Sequence, residues 1–157
     1  MQLSRSAARV QAALEAAGVA MRVVELPEST RTAADAAKAI GCEVAQIAKS
    51  LIFRGAESGD GYLVIASGTN RVDEPALAAA AGEPLAKASA EFVRDATGYA
   101  IGGVPPVALA TTLRTFIDES LLRFDRVWAA AGTPHAVFEL SAADLPKLTG
   151  GRVLRIA

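Results

Sequence analysis

Cysteine and histidine are nearly absent: Cys42 and His135 are the only ones in 157 residues. A lone cysteine closes no internal disulfide, and together the two cannot build the Cys/His cage of a structural zinc site. No metal site is therefore expected. Charge of one sign is missing too. Sixteen Lys and Arg stand against seventeen Asp and Glu, a formal net charge of −1, so the chain lacks the strong positive field of a sequence-independent duplex binder. DNA is not an expected partner, and any nucleic-acid contact should be local. Aromatic residues are only 5% of the chain, with no interleaved basic-aromatic stripe of the kind that grips single strands.

Long apolar runs are lacking as well. The segment from Met1 to Ala20 carries Arg5, Arg9 and Glu15 among scattered apolar residues, unlike the continuous apolar stretch of a signal peptide, and a cytoplasmic location is the expectation. The longest uncharged stretch, Ala96 to Leu113, is broken by Gly98, Gly102, Gly103, Pro105 and Pro106, so no membrane span is expected. Several catalytic signatures are also missing: a Gly-x-Gly-x-x-Gly turn, a phosphate loop, a Gly-x-Ser-x-Gly elbow, and a His-x-Glu with paired cysteines. Hydride transfer, nucleotide hydrolysis, serine-hydrolase chemistry and zinc deamination lose their usual supports.

What is present is apolar: 52% of the residues, with 21% charged, which excludes disorder. Thirty-five residues are alanine, so a modest number of larger side chains must form one small core. No repeat or linker divides the chain, and residues 1–157 read as a single compact domain. Helices are expected from Ser4 to Ala17, from Thr32 to Gly41, from Asp73 to Gly82 and from Ser89 to Gly98. A last helix is expected to open at the Ser141-Ala-Ala-Asp144 capping box. Strands are expected at Met21–Leu26, Ser50–Phe53, Tyr62–Ala66, Leu113–Ile117, Val127–Ala130, Ala136–Leu140 and Arg152–Ile156. Ser50–Phe53 and Tyr62–Ala66 should pair as a hairpin around Ser58-Gly-Asp-Gly61. Such mixing of helices and strands predicts an α/β (α+β) domain with a mixed sheet.

Few residues remain to carry chemistry. Lys49 interrupts the apolar run Ile47-Ala-Lys-Ser-Leu-Ile-Phe53 at the entrance of a strand. It either snorkels to the surface or a carboxylate, or aims a cation into a cleft. Gly102-Gly103-Val104-Pro105-Pro106 can turn backbone N–H groups towards one point, as a cradle for a developing oxyanion or as an ordinary turn. Asp118 closes a strand and either caps the next turn or orients a cleft residue. His135, after Gly132-Thr-Pro134, reads as a surface or rim residue without a nucleophile beside it. Cys42 reads as a small buried residue and Trp128 as core.

Taken in order, Thr32-Ala-Ala-Asp-Ala-Ala-Lys-Ala-Ile-Gly41, Ile47-Ala-Lys-Ser-Leu-Ile-Phe53, Thr97-Gly-Tyr-Ala-Ile-Gly-Gly-Val-Pro-Pro106 and Phe116-Ile-Asp118 resemble the YbaK/prolyl-tRNA editing domain family. The likeness spans Val19 to the C-terminus. It implies a barrel-like central sheet surrounded by helices, and a cofactor-free, metal-free hydrolase that cleaves the ester of a mischarged aminoacyl-tRNA. The edited ester would be a small amino acid on tRNA for proline. The same resemblance implies that Lys49, Gly102 and Gly103 are catalytic. It also implies that Thr32, Ser50, Val104, Pro105, Pro106, Asp118, Gly132 and His135 bind substrate. The implied partners are the acceptor end of the mischarged tRNA and a prolyl-tRNA synthetase or elongation factor. Two positions depart from the pattern: Pro105 stands where many members have Ser or Thr, and Ala108-Leu109 follow where Gly is common. A non-catalytic binding module of the same fold, recognising aminoacyl-tRNA, a nucleotide or a synthetase, is the alternative.

Overall fold

The structure, a computed structural model, describes residues 3–157; Met1 and Gln2, part of the expected domain, lie outside the described residues. Helix α1 (Arg5–Ala16) starts where the Ser4 hydroxyl accepts from Ala7 N–H, and its buried stripe is Ala7, Val10 and Leu14. Strand β1 (Val23–Glu25) follows, then α2 (Ala33–Ile40), capped by Thr32 and stopped by Gly41. A 3-10 turn (Val44–Gln46) feeds β2 (Ile47–Gly55), which pairs with β3 (Gly61–Ser67) in the expected hairpin. Helix α3 (Glu74–Ala81) is capped by Asp73 with a proline in its first turn. Then come β4 (Leu85–Lys87) and α4 (Ala90–Thr97), the latter capped by Ser89. Beyond the Gly/Pro loop lie β5 (Arg114–Asp118), a 3-10 turn (Glu119–Arg123), β6 (Arg126–Ala130) and β7 (Ala136–Ser141). Helix α5 (Asp144–Thr149) and β8 (Arg152–Leu154) end the described fold.

All eight strands belong to one mixed sheet, in the order β1-β7-β6-β2-β3-β5-β8, with β4 added to β2. β2 runs antiparallel to β3 and β4 but parallel to β6, and β5 is parallel to both β3 and β8. Side chains from one face of β1, β2, β3, β5, β6 and β7 converge on a single core with α1 and α4, through Val23, Ile52, Ile65, Ile117, Val127 and Phe138. The other face buries Phe53, Tyr62, Val64 and Phe116 against Leu77 of α3. Period-2 alternation in β2 and β3 therefore feeds two cores at once.

Three sequence expectations are corrected. Ser141 is the last residue of β7, and α5 begins after Ala143 without a side-chain cap. Lys49 is the third residue of β2, inside the strand, because the strand starts at Ile47. β4 was not expected at all: Leu85–Lys87 is too short to show a period and exists because β2 offers it an edge.

Candidate functional site

β6 covers one edge of β2 only at Ile47 and Ala48, and β4 covers the same edge only from Phe53 to Gly55. The gap between them opens into a cavity of about 190 Å³. Thr30, Thr32, Lys49, Ser50, Gly102 and Val104 are among its walls, with Ala36, Ile47, Trp128, Ala129 and Val137 supplying apolar surface. Ile101 stands exposed at the same site, and the neighbouring Arg31 side chain lies against Gly102.

Lys49 is half-buried, and its Nζ donates to the backbone oxygen of Asn70 at 3.0 Å. Asn70 is fixed in turn: its Nδ2 donates to Asp118 Oδ2 at 2.9 Å and to Ser120 Oγ at 3.1 Å. The fully buried Asp118 also accepts from Ser67 N–H at 3.0 Å and, through Oδ1, from Ser120 N–H at 2.9 Å. Asp118 thus both caps the following turn and orients the residue that holds Lys49. Burial pushes the Lys49 amine below its ordinary value, the Lys87 ammonium pushes it further, and Asp118 partly opposes them. On its other side Lys49 borders a polar hollow with Arg71, Lys87 and Glu74, so three cationic side chains and one carboxylate share a rim of net positive charge.

The glycine loop does not act as one cradle. Gly103 N–H donates to Ala100 O at 3.0 Å, closing a turn in which Gly102 has φ +93°, the sign that the third residue of a type II turn requires. Gly103 O accepts from Gly132 N–H at 2.8 Å. Gly103 is absent from the cavity wall, and its amide is already used. Gly102 lines the cavity, and its N–H meets no protein acceptor among the described residues. Pro105 and Pro106 are buried behind Val104 and do not reach the cavity.

The remaining expected residues divide in the same way. Thr32 caps α2 through Asp35 N–H at 3.0 Å and sits in the wall. Gly132 ties the loop to α1, where a Cβ would lie 2.9 Å from Ser6 O. His135 is exposed beside Pro27 and Thr133, its Nδ1 2.9 Å from Glu28 O, in a separate hollow. The cavity therefore brings together Thr32, Lys49, Ser50, Gly102 and Val104, and leaves Gly103, Pro105, Pro106, Asp118, Gly132 and His135 outside its wall. Sequence reading missed Thr30, Arg31, Ile101 and Asn70. Trp128, read as core, packs with Ile47 and α2 but also faces the cavity.

Two wall hydroxyls stand out. Thr30 Oγ1 and Ser50 Oγ are buried and have no hydrogen-bond partner among the described residues, although a buried hydroxyl without one costs about 1–3 kcal/mol. Both lie on the cavity wall, where each leaves its hydrogen-bonding capacity unused.

The aminoacyl-tRNA editing domain family matches residues 27–148. The uncharacterized protein YwhH of Bacillus subtilis (strain 168) is 34% identical over 131 residues, 83% of each chain. A crystal structure of a protein proposed as a trans-editing enzyme for prolyl tRNA synthetase is 51% identical, with a TM-score of 0.92 over 99% of this chain and 98% of that one. The hypothetical protein APE2540 is 33% identical with a TM-score of 0.88, over 94% and 98%. With most of its length matched and its fold shared throughout, the chain belongs to the aminoacyl-tRNA editing domain family.

Proposed function

We propose that the protein is a free-standing deacylase that hydrolyses the ester of a mischarged tRNA, a small amino acid on tRNA for proline. The observation that carries this reading is the cavity itself: about 190 Å³, below the roughly 300–1,000 Å³ of sites that take a whole drug-sized ligand. It suits an aminoacyl group while the nucleotide stays outside. Among the described residues no hydroxyl on its wall is hydrogen-bonded to a base: Thr30 Oγ1 and Ser50 Oγ have no partner, Thr32 Oγ1 accepts from Asp35 N–H, and His135 lies in another hollow. Water is then the attacking group, assisted by the substrate's own ribose hydroxyl. Its oxygen bonds to the ester carbonyl carbon, the bond to the ribose oxygen breaks, that oxygen takes one proton of the water, and the other is released as the new carboxyl ionises. The products are a free amino acid and an uncharged tRNA. The chain's part is placement and stabilisation of the developing oxyanion, for which Gly102 N–H is a free donor.

Lys49, Arg71 and Lys87 offer a cationic rim to the phosphates of the acceptor end, which fits a nearly neutral chain that grips only locally. A synthetase or elongation factor that delivers the tRNA, in the cytoplasm, completes this reading. The test is a panel of mischarged tRNAs incubated with purified protein. Release of a small amino acid from tRNA for proline is the expected outcome. Tight binding of the panel without hydrolysis would instead identify a binding module.

A further inference from the structure

The hydrogen bonds at the two ends of β2 fix which of its residues face which edge. Gly68 N–H donates to Ile47 O and Gly55 N–H to Asp60 O, each at 2.8 Å. Between those ends Lys49 pairs with Ala66, Leu51 with Val64 and Phe53 with Tyr62. In an antiparallel ladder, bonded and non-bonded pairs alternate. Odd-numbered residues of β2 therefore exchange bonds with β3, and even-numbered ones turn N–H and C=O to the opposite edge. On that edge Ala48 is bridged to β6, Ile52 O accepts from Ala88 N–H at 3.0 Å, and Arg54 pairs with Ala86. Ser50 lies between the two ladders and neither reaches it. It also lines the cavity, with its own buried hydroxyl unpartnered.

An amino acid esterified through its carboxyl carries an N–H donor and a C=O acceptor on either side of one Cα. Those are the two groups that a residue presents to its partner in a bonded antiparallel pair. We propose that the Ser50 main chain binds the aminoacyl group as a one-residue β-bridge, its C=O accepting from the α-ammonium and its N–H donating to the ester carbonyl. This rests on the deacylase reading for the identity of the ligand. Paired residues place their side chains on the same face, so an L-side chain lies beside that of Ser50. The ammonium has three donors and loses water on entry, and Thr30 Oγ1 and Ser50 Oγ are the idle acceptors in the wall. Ser50 N–H and Gly102 N–H then give the carbonyl oxygen two donors from two elements. Main-chain recognition of this kind holds the group common to all amino acids and leaves selection to the wall around the side chain.

The probe is 3′-deoxy-3′-(L-alanylamino)adenosine, whose amide resists hydrolysis, added to the wild-type protein labelled with nitrogen-15. The Ser50 amide proton should shift downfield and exchange with solvent at least about tenfold more slowly when it gains an acceptor. The analogue with a hydroxyl in place of the α-ammonium should bind at least about tenfold more weakly. In parallel, Ser50 is replaced by its α-hydroxy analogue, glyceric acid, which turns the N–H into an ester oxygen and keeps the side chain. Turnover of alanyl-tRNA should fall about 100-fold or more with little change in KM, as for loss of an oxyanion donor. Failure of the probe to bind, or binding that leaves the Ser50 amide unmoved, overturns the bridge. Wild-type protein that shifts Ser50 with the probe yet hydrolyses no aminoacyl-tRNA keeps the bridge and overturns the deacylase reading. Hydrolysis by wild type with Ser50 unmoved does the reverse.

Discussion

Lys49 is held where a charge is costly, which is the mark of a residue kept for what it touches. Replacing it with Met keeps the stem packing and removes the desolvated ammonium, so Lys49→Met should abolish turnover without lowering the melting temperature at neutral pH. The sign with pH follows from the depressed amine: between its folded value and the ordinary 10.5, the unfolded chain binds more protons than the folded one, so wild-type stability gains with pH. The difference in melting temperature between Lys49→Met and wild type should shrink as pH rises towards 10.5. A constant difference would mean that the ammonium is solvated. Gly102 and Gly103 should separate in a similar way. A Cβ on Gly103 would lie 3.0 Å from the backbone of Thr133, so Gly103→Ala should cost about 1–3 kcal/mol of stability. On Gly102 the three atoms nearest a Cβ all belong to the Arg31 side chain, which can move, and φ is +93°. Gly102→Ala should cost about 1–2 kcal/mol and lower kcat beyond what unfolding explains. Denaturation midpoints measured beside kcat and KM check both, and equal kcat losses in folded protein would rejoin the two glycines.

At the scale of elements, the hairpin that carries Lys49 is clamped by a carboxylate. Glu83 accepts from Ser58 Oγ and Tyr62 OH at 2.6 Å each, and from the N–H groups of Glu57 and Ser58 at 2.9 Å. These donors, the Ser58 hydroxyl first, hold its carboxyl down to about 2. A depressed acid stabilises above its unfolded value and loses that contribution as pH falls, so wild type should lose stability between about pH 4.5 and 2. Glu83→Gln should flatten that limb of a thermal-melt series; an unchanged limb would show that the clamp is not formed. The loop beside the cavity carries a second element-scale feature: Ala108 is the one non-glycine residue with positive φ among the described residues, at 61°. It lies in the Ala108-Leu109 pair that departs from the family's common Gly, and Ala108→Gly should stabilise by up to about 1 kcal/mol. Caps, hairpin and glycine stops were legible because each is a local signal: Ser4, Thr32, Asp73 and Ser89 all cap as their spacing implies. Half of the site was legible for the same reason, through Lys49 and Gly102. What could not be read is lateral: that β4 and β6 leave Ser50 uncovered, that Asn70 relays between Asp118 and Lys49, and that Gly103 spends its amide on Ala100. Each depends on which distant segment lies alongside, and no spacing along the chain encodes that.

For the molecule as a whole, the proposed deacylation makes cavity size the determinant of substrate. A space of about 190 Å³ bounded by β2, α2, β6 and the loop has little room to widen, because three of those walls are regular elements tied into one sheet and its covering helix. The loop is tied as well, through Gly103 to Gly132 and through Tyr99 OH, which donates to Ala108 O at 2.8 Å. Val104 and Val137 face the space with branched apolar surface, and the charged residues on its wall, Arg31 and Lys49, are both cationic, which disfavours basic side chains. Discrimination between side chains that differ by one methylene is worth only about 1–3 kcal/mol, so alanyl, seryl and cysteinyl esters on tRNA for proline should form a graded series. A phenylalanyl ester adds a ring that the fixed walls cannot seat, and overpacking costs more than a missing contact recovers. Its kcat/KM should lie at least about 100-fold below that of the best small ester, roughly 2.7 kcal/mol, with most of the loss in binding of the aminoacyl group. Because the cationic rim meets the tRNA and not the side chain, raising the salt should weaken every member of the series by a similar factor and leave their ratios unchanged. Phenylalanyl turnover equal to the best small ester, or ratios that collapse with salt, would show that selection comes from the tRNA grip and not from the cavity.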